Sequence, residues 1–163
     1  MMKTIEIVGE NYFGHWHKTR TACRGIVMES GLILLAYETV NDQWMLPGGG
    51  LESGEDEREC CIREVAEETG VLIRTSDCVL EIDEYYEDWK WVNRYFLGTV
   101  EGHQDIRLTD REKKAGMEPR WLSGESTMQI FSKHASYTDE MRRGMYLREY
   151  TALRALNCFP DQG

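Results

Sequence analysis

No apolar run in this chain approaches the ~18 residues that a membrane-crossing helix requires. Met1 to Phe13 also lacks the apolar core of a secretory leader. There is no Cys-x-x-Cys pair and no zinc-like spacing. The five cysteines are an odd count, and Cys60 and Cys61 are adjacent, where they do not readily bond to each other. Reduced thiols in a cytoplasmic protein are the simplest account. Positive charge is short too: 19 Lys and Arg against 29 Asp and Glu give a formal net charge of −10. That argues against tight non-specific binding to long nucleic acid, which depends on cations neutralising phosphates. A small anionic substrate stays open, because a bound metal ion reverses the local field. Repeats, low-complexity tracts and linkers are missing as well. With 163 residues, 41% hydrophobic and 29% charged, the expectation is one soluble domain, 1–163, with its own core.

What is present divides into strands and helices in alternating blocks. Lys3 to Val8 alternates as a short strand at a sheet edge. Asn11 to Thr19 reads as a loop rich in aromatic and imidazole groups (Tyr12, Phe13, His15, Trp16, His17), either a flap over the core or a ligand-stacking or dimer surface. Thr21–Met28 and Leu32–Tyr37 flank Glu29-Ser30-Gly31 as a hairpin. Asn41-Asp42-Gln43 is a turn, and Trp44-Met45-Leu46 leads into the glycines Gly48, Gly49 and Gly50. A helix is predicted over Asp56 to Thr69, starting near Ser53 or Gly54 and stopped by Gly70. Val79–Tyr86 and Trp91–Val100 read as strands, Gly102–Pro119 as an exposed and long loop, and Arg120-Trp121-Leu122 as a last strand. The tail carries a short helix near Ser126–Ser132 and a longer one over Asp139–Leu156, with Thr138 as its cap. Met141, Met145, Tyr146, Tyr150, Leu153 and Leu156 recur there at helical spacing and are predicted to face the core. This order predicts an α+β fold, an α/β/α sandwich around a mixed sheet.

One stretch carries chemistry. Glu64, Glu67 and Glu68 stand at i, i+3 and i+4, so a helix puts all three on one face. Carboxylates so placed repel one another unless a cation sits among them. An oxygen-rich cluster of this kind suits Mg²⁺ or Mn²⁺. On the same wheel, Ile62, Val65, Ala66 and Thr69 are predicted to pack on the sheet. Cys60 and Cys61 fall nearer the acids, as small packed groups or as an extra soft ligand or oxidisable pair near the metal site.

From Gly49 the spacing runs G-x5-E-x7-R-E-V-A-E-E-T-G-V, with fixed points Gly49, Glu55, Arg63, Glu64, Glu67, Glu68 and Gly70 and aliphatics at Val65 and Val71. This resembles the Nudix box of the Nudix hydrolases, matching nine specified positions across the 23 residues Gly49–Val71. The resemblance implies a phosphoric-anhydride hydrolase in which Glu64, Glu67 and Glu68 hold Mg²⁺ or Mn²⁺ with the Gly48 carbonyl as a neutral ligand. It implies that Arg63 and Glu55 pair to orient the helix, with Gly49 and Gly70 as structural support. In many members a further Glu outside the box activates water or completes the metal site. Glu112 is taken first here, with Glu118, Glu52 and Glu84 as alternatives. The box leaves the substrate open: a nucleoside triphosphate, an ADP-sugar or a dinucleoside polyphosphate all contain the bond. Arg24 and Arg94 are candidate phosphate or ribose contacts. Six aromatics (Trp16, Trp44, Tyr85, Tyr86, Trp89, Trp91) are able to stack on a base, and Trp44 is taken as the one that does. The other class of function on the same scaffold is a silent domain that senses nucleotides or binds a protein, and an isomerase of the isopentenyl-diphosphate type is a third. Expected partners are a small nucleotide and a second copy of the chain, with no membrane and no long nucleic acid.

Overall fold

The computed structural model describes residues 2–159. Its strands are β1 (Lys3–Val8), β2 (Lys18–Glu29), β3 (Leu32–Glu38), β4 (Gln43–Met45), β5 (Gly48–Gly50), β6 (Val71–Tyr86), β7 (Trp89–His103) and β8 (Met117–Ser123). Its helices are α1 (Glu57–Thr69), α2 (Asp110–Ala115), α3 (Gly124–Ser132) and α4 (Glu140–Ala155). The strand order is β1-β6-β7-β2-β3-β4, with β5 also on β2 and β8 also on β3. β1 is the edge strand expected of Lys3–Val8. The sheet is mixed: β1–β6 and β2–β7 are parallel, and β6–β7 and β2–β3 are antiparallel.

Alternation along β2 divides the core in two. Cys23 and Val27 face α1 and pack with Cys60, Cys61 and Val65. Ile26 faces the other way, into a cluster with Leu80, Ile82, Tyr95, Phe131, Tyr146 and Leu153 from β6, β7, α3 and α4. Helices therefore cover both faces, as the α+β sandwich predicts. No described helix is long and apolar enough to cross a membrane.

α1 forms where the motif asks for it, with both ends built by side chains and backbone. Asp56, not Ser53 or Gly54, is its N-cap: the Asp56 carboxylate accepts from Glu59 N–H while Glu59 accepts from Asp56 N–H. Gly70 ends it at φ 76°, and its N–H donates to the Ala66 carbonyl. Cys60 and Cys61 are fully buried as small packing groups, whereas Ile62 is only partly buried.

Three expectations need correction. Gly102–Pro119 is not a bare loop: Gly102 and His103 finish β7, α2 follows, and Met117–Pro119 begin β8. α2 owes its existence to a capping box between Thr109 and Glu112 and a left-handed Gly116, features too short to give a periodic signal. The cap of α4 is Asp139, whose Oδ1 accepts from Met141 N–H; Thr138 lies outside it. Met141 does not face the core but is 84% exposed, because it lies in the first turn of α4, at the mouth of a cleft.

Candidate active site

β5 and α1 build the acidic end of that cleft together. β5 lies against β2 through Gly48↔Arg24, Gly49↔Cys23 and Gly50↔Ala22. Bare backbone there lets α1 approach closely. A β-carbon on Gly49 would come 2.5 Å from the Glu64 carboxylate carbon. Gly48 N–H donates to Glu68 Oε1 at 2.7 Å. Glu68 is 2% exposed, Glu64 is mostly buried, and Glu67 is half-exposed. Burial pushes the Glu68 carboxyl well up, and neighbouring Glu112 pushes it further. Burial also raises Glu64, although Arg63 pulls it back.

Arg63 is the cation the acids share. Its Nε and one terminal nitrogen fork onto Glu55 at 2.6 and 3.1 Å. Its other terminal nitrogen reaches Glu64 at 2.9 Å and Glu67 at 3.2 Å. It also donates to the Gly50 carbonyl at 3.2 Å, which ties the helix to the glycine turn. The fork holds Glu55 below the usual carboxylate range and raises Arg63 further. Buried carboxylates with raised affinity for protons, all hard oxygen donors on one wall, fit a hard divalent cation. Glu64, Glu67 and Glu68 are the residues available to hold it.

Away from these acids the cleft runs along β2 and β7, enclosing about 840 Å³ in all. Register pairs Ala22 with Asn93, Arg20 with Trp91 and Lys18 with Trp89, so these side chains share the face opposite α1. Trp89 and Trp91 stack at 4.7 Å and 20°, and both line the cleft with Tyr86 and Arg20. Lys18 Nζ lies 5.5 Å over the Trp89 ring.

Beneath the cleft lies a polar network that the sequence reading missed. Arg148 Nε donates to Glu149 at 3.0 Å, and Arg148 also reaches Glu84 at 3.4 Å. Glu149 further accepts from the Tyr95 hydroxyl at 2.8 Å and from Leu46 N–H at 2.7 Å. Asn93 donates to Glu84 at 2.9 Å and accepts from Arg24 Nε at 3.3 Å. Burial pushes Glu149 up, but Arg148, Arg24 and these donors outweigh it and hold it below its ordinary value. The signal was there: Glu149 stands between Tyr146 and Leu153 on the apolar stripe of α4, where a carboxylate needs a buried partner.

The predicted site residues separate into two groups. Arg24, Gly48, Gly49, Glu64, Glu68 and Glu112 all line the cleft, with Arg63, Glu55 and Glu67 beside them. Arg94 does not: it lies on the α1 side of β7, paired with Glu57 at 3.0 Å and Glu81 at 2.9 Å. Trp44 does not either. It packs on its cross-strand partner Tyr37 at 4.1 Å, and its neighbours Gln43 and Met45 face the cleft instead. Trp16 and Tyr85 pack on each other at 5.6 Å. Among the alternatives to Glu112, Glu118 pairs with Arg120 outside the cleft, Glu52 stands 3.6 Å from Arg63, and Glu84 is bound to Arg148. Gly70 lies away from the cleft, ending α1 and accepting from Gln104 N–H at 2.8 Å.

The chain is similar to known proteins over most of its length. The NUDIX domain matches residues 18–141. An RNA pyrophosphohydrolase of Dinoroseobacter shibae is 28% identical over 129 residues, covering 65% of this chain and 78% of its own. A human diphosphoinositol polyphosphate phosphohydrolase is 27% identical over 150 residues, covering 88% and 81%. Among solved structures, a NUDIX hydrolase from Nitrosomonas europaea superposes with a TM-score of 0.60 at 22% identity, covering 83% of this chain and 90% of its own.

Proposed function

This chain belongs to the NUDIX family of hydrolases acting on pyrophosphate bonds, and we propose that its substrate is a nucleoside diphosphate linked to a further moiety, cleaved with Mg²⁺ or Mn²⁺. The observation that carries this reading is the two-ended cleft, with buried carboxylates Glu64 and Glu68 at one end and stacked Trp89 and Trp91 at the other. An aromatic platform has a use for a nucleobase and none for a polyphosphorylated ring. The supply of cations points the same way. Of the four arginines lining the cleft, Arg148 is held by Glu84 and Glu149 and Arg111 by Glu38, which leaves Arg20 and Arg24 for the ligand. Two guanidinium groups match a diphosphate.

In this reading Glu64, Glu67 and Glu68, with the Gly48 carbonyl, hold the divalent ion. When bound, the ion offsets charge on the phosphoryl oxygens and lowers the pKa of water. Arg63 keeps the acids in place and is itself fixed by the fork from Glu55. Arg24 and Arg20 draw the diphosphate along β2 from the acids towards the tryptophans. Glu112 acts as the base, because it faces Glu68 while the other candidate carboxylates are paired or outside the cleft. Water's oxygen bonds to phosphorus, the anhydride P–O bond breaks, and the water proton passes to Glu112. The five free thiols suit a reducing, cytoplasmic setting.

A product-release screen over nucleoside triphosphates, nucleotide sugars, dinucleoside polyphosphates and a diphosphoinositol polyphosphate tests this, run with wild type and Glu67→Gln. Metal-dependent turnover of a nucleotide that is lost in the variant is the expected result. No turnover above the variant on any compound replaces the enzyme with a ligand-binding module. Turnover confined to the inositol compound removes the nucleotide assignment and keeps the hydrolase.

A further inference from the structure

Outside the cleft, three side chains with metal-ligating atoms converge from two separate segments. His15 and His17 come from the connection between β1 and β2, and Asp88 comes from the turn between β6 and β7. One donor atom from each lies within 4.8 Å of the others. His17 Nδ1 and Asp88 Oδ1 are 2.8 Å apart, and the His15 and His17 rings are 5.0 Å apart at 67°. His15 makes no hydrogen bond or ion pair among the described residues, so its imidazole is uncommitted.

The backbone that carries these groups is tethered. His17 N–H donates to both the Asp88 carboxylate, at 2.9 Å, and the Asp88 carbonyl. Phe13 N–H donates to the Glu87 carbonyl at 3.0 Å, and Lys18 N–H to the Asp88 carbonyl at 3.1 Å. Tyr12 and Trp16 both pack against Tyr85. Most of the ordering that a ligand set requires is therefore already present in the fold. Bonds of ~2.0–2.1 Å in a tetrahedral set separate donors by about 3.3 Å. His15 is exposed, so its side chain has room to turn and bring donors now within 4.8 Å of one another to that spacing.

We propose that His15, His17 and Asp88 form a second metal site, for a borderline divalent ion of the Zn²⁺ class, which staples the 9–17 connection to the β6–β7 turn. Two imidazoles and one carboxylate are the donors such an ion prefers, whereas Mg²⁺ prefers the all-oxygen set on α1. Binding displaces the proton that His17 shares with Asp88 and releases it to solvent, or leaves it on Nδ1 and uses the other ring nitrogen. The stapled pieces form one rim of the cleft, because Asn11, Tyr86, Glu87 and Trp89 line it. An ion here would stiffen the aromatic end without touching the acids.

The test is a Zn²⁺ titration of the full chain in excess Mg²⁺, followed by imidazole resonances of its four histidines. His15 and His17 are expected to shift together and saturate at one equivalent, while His103 and His134 stay in place. His15→Ala removes a direct ligand and should weaken this binding by at least the ~10- to 100-fold that loss of a ligand's supporting partner costs, and His134→Ala should leave it unchanged. Repeating the titration on Glu64→Gln separates this site from the catalytic carboxylates, and the same two histidines should still respond. If His15 and His17 do not shift, or if His15→Ala binds Zn²⁺ as wild type does, the second site does not exist.

Discussion

The carboxylate of Glu64 lies directly over the α-carbon of Gly49, so near that a β-carbon there would meet its oxygens at 2.6 and 2.8 Å. The glycine is needed for this close approach. Gly49→Ala must push the Glu64 carboxylate out of the place it holds beside Arg63 and the other acids. A displacement of ~1 Å is enough to cost about 10²-fold in turnover. The expected variant is folded, with a near-normal circular dichroism spectrum, and reduced chiefly in kcat. Wild-type kcat in Gly49→Ala would contradict the packing argument.

Trp91 tests the other end of the cleft. Base–aromatic stacking contributes ~1–3 kcal/mol, so Trp91→Ala should raise KM for a nucleotide substrate by about 5- to 150-fold. Stacking is present in both the bound substrate and the transition state, so kcat should change little. A steady-state measurement over a range of substrate concentrations separates the two parameters. A loss confined to kcat would place Trp91 at the chemistry and not at the base.

Arg148 and Glu149 make a third test, one of stability. Arg148→Met leaves Glu149 and Glu84 buried without their cation, a change that costs about 3–5 kcal/mol. Urea unfolding should show a midpoint shifted down with the slope unchanged. An unchanged midpoint would mean that Glu149 takes up a proton at no cost.

Asp83 gives a pH dependence. It is 5% exposed, its Oδ1 has no hydrogen-bond partner among the described residues, and Lys90 Nζ is 3.8 Å from Oδ2. Burial, followed by the charge on Glu81, pushes its carboxyl up to about 6 from an ordinary 3.8. A raised folded-state pKa in an acid means that the folded chain binds the proton more tightly. The cost of the buried charge is therefore fully present above pH 6 and is relieved as pH falls from 6 towards 4. Asp83→Asn should stabilise the protein at pH 7–8 by on the order of 2 kcal/mol. That advantage should fade by pH 4, as melting temperatures across the range would show. A difference independent of pH would mean that Asp83 titrates normally.

The acidic end of the cleft was legible in the sequence because its geometry is local. Glu64, Glu67 and Glu68 stand on one helix at i, i+3 and i+4, so helical periodicity puts them together, while Glu55 lies ahead of the helix and its pairing with Arg63 came from the resemblance to the Nudix box. The aromatic end was not. Alternation says that neighbouring strand residues face opposite ways, but it does not say which face meets the cleft. Arg94 and Trp44 therefore lie on the wrong sides of β7 and β4, while Trp91 and Gln43 lie on the right ones. Irregular pairing of β6 with β7 near Thr75, Cys78 and Leu80 weakens that parity further. Glu112 lines the cleft beside Glu68, on a six-residue helix whose capping box and stop glycine leave no periodic signal in the sequence.

Glu68 decides the central claim. It is the most buried of Glu64, Glu67 and Glu68, and its carboxylate accepts from the Gly48 N–H. The measurement is kcat of Glu68→Gln against wild type on the best nucleotide from the screen, across a Mg²⁺ titration. The account expects turnover that rises with Mg²⁺ in wild type and a kcat lower by about 100-fold or more in the variant. Equal kcat in the two proteins, or full wild-type turnover without any divalent ion, would contradict it.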